Sequence, residues 1–159
     1  MTDALQVCAF SHVTIRVTDL ERSIPFYRNV LGLEQVFDLD LSGSGLDEVT
    51  GGSGMAGRMV GFLVPGNGVM VELICFSGRK MRRDLGGDRL GYGNLSLGVD
   101  DLDAAYQNLL DLGVQPEQKP VEVGGGRMFF VADPDGTRIE IIDFPGEGVV
   151  TSAGFHGRA

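Results

Sequence analysis

Along residues 12–17 the side chains alternate, with His12, Thr14 and Arg16 on one side and Val13, Ile15 and Val17 on the other. The pattern returns at 94–99, where Asn94, Ser96 and Gly98 oppose Leu95, Leu97 and Val99. Period-2 alternation predicts a strand with one packed face and one open face. Subtracting 82 maps Asn94, Val99, Asp101 and Leu102 onto His12, Val17, Asp19 and Leu20, so the chain is an internal repeat. After each strand comes an aspartate placed to cap a helix. The first helical pattern carries Ile24, Tyr27 and Leu31 on one face and ends at Gly32; the second carries Ala105, Leu109 and Leu112 and ends at Gly113. Pro25 lies inside the first pattern and predicts a late start or a bend there.

Each half closes on a hairpin. "RMVGFLVPGNGVMVELICF" (58–76) and "RMFFVADPDGTRIEIIDF" (127–144) hold the turns "PGNG" and "DPDG" between apolar strands. A glutamate follows the last turn glycine by four residues in both, Glu72 after Gly68 and Glu140 after Gly136. Met70, Glu72, Ile74 and Phe76 share one face of their strand, as do Arg138, Glu140 and Ile142. A further strand is expected near 34–41 and near 115–123. Between them, "SGSGLDEVTGGSGMAGR" (42–58) carries six glycines and reads as a long flexible loop, either a lid over the site or a surface loop with no role. "GGGR" (124–127) is no phosphate loop, because it lacks the lysine and opens a strand.

The 159 residues fit one domain built of two small modules, about 8–78 and 90–147, with a loose tail at 148–159. With 43% hydrophobic and 22% charged residues the chain has material for a real core. A net charge of −9 argues against nucleic acid or anionic membrane as a partner, since both demand a positive surface. The basic cluster "RKMRR" (79–83) reads as a solvated connector, with docking of an anionic substrate tail as the alternative. Cys8 and Cys75 make neither a disulfide framework nor a CxxC motif. Without a signal-peptide pattern or an apolar run of about 20 residues, a cytoplasmic location is expected.

A glutamate inside "VMVELICF" is costly unless something pairs with it. That this occurs twice, at matched positions, suggests that both glutamates serve one site, along with His12 and Asn94. Half-exposed strands with two solvated carboxylates are the plain alternative.

"HVTIRVTDLERSIPFYRNVLGL", "VDDLDAAYQNLLDLGV" and "ADPDGTRIEIID" together resemble the vicinal oxygen chelate superfamily. That group includes glyoxalase I, methylmalonyl-CoA epimerase, extradiol dioxygenases and fosfomycin or bleomycin resistance proteins. The resemblance runs from about residue 10 to 144. It implies an α+β fold of tandem βαβββ modules forming a curled mixed sheet around a central cavity. It also implies a divalent metal ion (Mn, Fe, Co, Ni, Mg or Zn) held by His12, Glu72, Asn94 and Glu140. In the metal-dependent members a histidine normally stands where this chain has Asn94. The amide makes Asn94 a weak or water-bridged ligand and leaves an oxygen-rich donor set. Ring-cleaving dioxygenases use two histidines and one carboxylate, so that chemistry is disfavoured.

The function implied is that of a metal-dependent isomerase, epimerase or lyase, moving a proton next to a metal-polarised carbonyl of a small organic substrate. Glu140 is the first candidate for the base and Glu72 the second. Arg16 and Arg138 are candidates to clamp a substrate carboxylate, with a plain role at the sheet rim as the alternative. Met70, Ile74 and Phe76, with Met55 and Met59, would supply apolar lining. The competing reading is a non-catalytic protein that sequesters a drug or metabolite over a degenerate metal site. Relatives commonly form homodimers, so a homodimer is expected. His156 in the tail is the chain's one other histidine.

Overall fold

The computed structural model describes residues 10–66, 68–78, 92–124 and 126–143. Cys8, the basic cluster at 79–83, and the tail with His156 lie outside the described residues. The chain divides into two compact units at Arg79/Lys80.

In the first unit β1 (His12–Arg16) is followed by α1 (Leu20–Pro25), β2 (Glu34–Ser42), α2 (Ser44–Thr50), β3 (Ala56–Leu63) and β4 (Met70–Phe76). The sheet order is β1-β4-β3-β2, with β1 parallel to β4 and the other pairs antiparallel. Asp19 caps α1, its carboxylate accepting from the backbone N–H groups of Glu21 and Arg22. Proline has no N–H to continue the α ladder. Past Pro25 the chain widens into a π-helical turn (Phe26–Val30), where Leu31 N–H reaches Phe26 O at 3.0 Å. The proline thus changes the helix type instead of delaying its start. Ile15, Val17, Val60, Phe62, Val71 and Leu73 form the buried core face. Tyr27 is fully buried with its ring 6.0 Å from that of Phe62.

The glycine-rich stretch holds a helix, contrary to the expectation of a flexible loop. Residues 46–50 contain no glycine or proline, so one helical run fits between the breakers. Gly51 closes α2 in the left-handed conformation (φ 63°). The Asp47 carboxylate then accepts from Gly54 and Met55 N–H at 2.9 and 2.6 Å, fixing the return to β3.

In the second unit β5 (Leu95–Gly98) is followed by α3 (Leu102–Asp111), β6 (Val121–Val123), β7 (Gly126–Ala132) and β8 (Arg138–Asp143). The order β5-β8-β7-β6 and the strand directions repeat those of the first unit. Asp101 caps α3 by accepting from Ala104 N–H, and Tyr106 packs edge-on against buried Phe129 at 5.3 Å. Asp133 fixes the hairpin turn by accepting from Asp135 and Thr137 N–H. Among the described residues both units are therefore βαβββ, the first with α2 added, giving an α+β arrangement of two four-stranded mixed sheets and three α-helices. Among the described residues no helix is long and apolar enough to cross a membrane.

One device occurs in both units. Arg58 at the start of β3 holds Asp38 on β2 through two hydrogen bonds, at 2.7 and 2.6 Å, and also reaches Glu21 in the first turn of α1. Arg127, near the start of β7, bonds Asp103 in the first turn of α3 at 2.8 Å. Each acid sits two residues after its capping aspartate. The Arg58 hydrogen bonds hold the Asp38 carboxyl below the usual carboxylate range.

Candidate metal centre and active site

Parallel pairing of β1 with β4 places Thr14 beside Glu72 and His12 beside Met70. His12, Thr14 and Glu72 thereby share the open face, opposite the core residues Ile15, Val71 and Leu73. The Glu72 side chain is bound at one oxygen. Thr14 Oγ1 donates to Oε2 at 3.2 Å, and His12 Nε2 lies 3.3 Å from the same Oε2. Oε1 makes no hydrogen bond among the described residues. On the other side of the imidazole, Ser11 Oγ lies 2.9 Å from Nδ1, so both ring nitrogens have a polar neighbour. Glu72 is buried, at 8% exposure, whereas the His12 side chain is 40% exposed. A charged group is thus kept inside the sheet with a hydroxyl and an imidazole as its company.

The row continues across the sheet. Gly61 on β3 is opposite Glu72, and Phe37 on β2 is opposite Gly61. A bulge between Gln35 and Phe37 sets that alignment. A Cβ on Gly61 would come 2.2 Å from the Phe37 ring, so the ring lies over the glycine on the Glu72 face. Phe37 was not among the residues singled out from the sequence. Gly61, a glycine within an apolar strand, was the available sign of such a close approach. Of the expected lining residues, Ile74 and Phe76 are buried and Met70 is partly exposed. The Arg16 guanidinium lies 5.7 Å from the Phe76 ring.

In the second unit Ser96 is beside Glu140, and Phe130 flanks Glu140 on β7. Asn94 precedes β5 by one residue, and in the repeat it occupies the position that His12 holds in the first unit. Neither Asn94 nor Glu140 makes a side-chain hydrogen bond among the described residues, and both are partly exposed. Arg138 is engaged locally: its guanidinium lies 3.5 Å from the Phe130 ring centroid, and Nε donates to Glu117 Oε2 at 2.9 Å. As a clamp for a substrate anion it would first have to release Glu117.

Within either unit, among the described residues, no group of three or more His, Cys, Asp or Glu side chains is gathered for a metal. The donors present nevertheless suit a divalent ion. Two ligands about 2.1 Å from one ion and at right angles to each other stand about 3 Å apart. His12 Nε2 and Glu72 Oε2, at 3.3 Å, are close to that separation.

Residues 9–141 match the family model of the Glyoxalase/Bleomycin resistance protein/Dioxygenase superfamily. A probable lactoylglutathione lyase of Vibrio parahaemolyticus is 33% identical over 148 residues, covering 92% of this chain and 95% of its own. The lactoylglutathione lyase of Salmonella typhimurium is 34% identical over 134 residues, covering 83% and 90%. Among solved structures, a glyoxalase family protein from Bacillus cereus has a TM-score of 0.79 at 20% identity, over 92% of this chain and 100% of that one. A superfamily member from Sphaerobacter thermophilus has a TM-score of 0.61 at 31% identity, over 85% and 97%. The chain belongs to the glyoxalase/bleomycin resistance protein/dioxygenase superfamily.

Proposed function

We propose that the chain is a glyoxalase-like, metal-dependent lyase whose substrate is of the lactoylglutathione type, a 2-hydroxyacyl thioester or its isomer. The observation that carries this reading is the His12–Glu72 pair on the open face of a chain about a third identical to proteins named lactoylglutathione lyase. His12 and Glu72 would hold the ion in the first unit; Glu140 and, more weakly, Asn94 are the matching donors that the resemblance implies for the second. When bound, a divalent ion polarises a carbonyl and stabilises the negative charge that develops as the neighbouring C–H bond breaks.

The remaining work falls to the side chains. Glu140 would take the proton from one carbon and return it to the next. Its freedom from any side-chain partner among the described residues supports that role, because a shuttling carboxylate must be able to turn. Glu72, held by Thr14 and His12, is suited instead to staying in place. Met70, Ile74 and Phe76 provide an apolar wall that excludes water, with Arg16 beside it as a candidate partner for a substrate carboxylate. A homodimer belongs to the same reading.

The test is turnover of the hemithioacetal of methylglyoxal and glutathione by purified protein, before and after chelation. Thioester formation that chelation abolishes and a divalent ion restores is the expected result. No turnover after loading in turn with Ni, Co, Mn, Fe, Mg and Zn would overturn the reading. Asn94, an amide where the resemblance calls for an imidazole, favours a second reading: a binding protein without catalysis. Tight binding of a small ligand by protein that takes up no stoichiometric metal would select it.

A further inference from the structure

We propose that Thr14 is a positioning residue for the metal centre, an inference that rests on the metal-dependent reading above. The two units offer an internal comparison. A hydroxyl residue on the first strand lies beside the glutamate of the last strand in each, Thr14 beside Glu72 and Ser96 beside Glu140. In the first unit the hydroxyl is bonded to the carboxylate at 3.2 Å. In the second no such bond forms among the described residues. One glutamate is tethered by its strand neighbour and the other is not.

The tether has the properties that positioning requires. Threonine is β-branched and stiff about χ1, so its hydroxyl is delivered from a fixed place on β1. It is a neutral donor to a carboxylate oxygen, and it neither competes for a cation nor adds charge. It engages Oε2 and leaves Oε1 without a hydrogen bond among the described residues. An ion drawing on His12 Nε2 and Glu72 would replace the contact between those two groups and leave the Thr14 bond standing. A glutamate side chain otherwise loses much rotational freedom when it is fixed on an ion. Thr14 removes part of that freedom before the ion arrives.

Chelator-competition titration of the full chain with Ni or Co tests this directly, using Thr14→Val to keep shape and strand propensity and Thr14→Ser to keep the hydroxyl. Thr14→Val should weaken metal binding by about 10–100-fold, the usual cost of losing a group that orients a ligand. Thr14→Ser should restore most of the affinity, and Ser96→Ala should leave it unchanged. The melting temperature of each metal-free variant accompanies the titration. A merely structural bond would lower the melting temperature without changing the affinity of the protein that remains folded. Wild-type affinity in folded Thr14→Val overturns the proposal while leaving the metal reading intact. Failure of the wild type itself to bind Ni, Co, Mn, Fe, Mg or Zn overturns both.

Discussion

Phe37 lies over Gly61, so close that a single methyl group on the glycine would meet the ring at 2.2 Å. The contact fills the part of the open face next to Glu72. Gly61→Ala should therefore displace the ring and destabilise the protein by about 1–3 kcal/mol, the usual range for overpacking. Denaturant unfolding monitors the cost. Because the ring is a side chain on an edge strand and can swing, Gly61→Ala combined with Phe37→Leu should recover most of the loss.

Arg58 and Asp38 predict an acid-sensitive contribution to stability. The folded-state pKa of Asp38 is depressed, chiefly by its hydrogen bonds from Arg58. The stabilisation is therefore complete above the unfolded carboxylate pKa of about 3.9, and it is lost as pH falls from there through the lower folded value. The melting temperature of Asp38→Asn should lie below that of the wild type at pH 7, with the gap closing below about pH 4. Both groups are partly exposed, so added salt should shrink the gap as well.

Glu140→Gln separates holding from proton transfer. Loss of a general base costs about 10²–10⁴-fold in rate, and kcat should fall by that factor in protein saturated with metal. Binding of a substrate analogue should change much less. An unchanged kcat would assign the base elsewhere, with Glu72 next in line.

Asn94→His probes the departure in the second unit. An imidazole favours Ni, Co and Zn over Mg and Mn, relative to an amide oxygen. Affinity for Ni should rise on the order of tenfold, about 1.4 kcal/mol. No change would mean that Asn94 does not approach the ion.

Much of the architecture was legible in the chain because it is governed by local rules. Alternation marked β1 and β5, Asp19 and Asp101 marked helix starts, and the turns marked both hairpins. The glycine-rich stretch misled because its many breakers hid the five residues from Leu46 to Thr50 that lie between them. Face-sharing by His12 and Thr14 was readable from period 2. The meeting of His12 with Glu72 was expected from the resemblance; the Thr14 bond to the same carboxylate was not, because the register of a parallel pair is set by the crossover between strands 58 residues apart. The same holds for Phe37, whose alignment depends on a bulge that no periodicity reports. Arg58 and Arg127 both open quoted hairpin segments, yet charges that tie a helix to a sheet leave no hydrophobic signature.

Those two arginines also bear on Asn94. Arg58 and Arg127 each lie two residues before a core residue, Val60 and Phe129, and so on the same face as it; each clamp works on the side of its sheet turned away from Glu72 or Glu140. Frame and lining are thus written on alternate letters of the same strands. A duplicated unit organised this way can revise its lining one residue at a time without being asked to refold. An asparagine at 94, where the first unit has His12, is then an edit of contents within an unaltered mould.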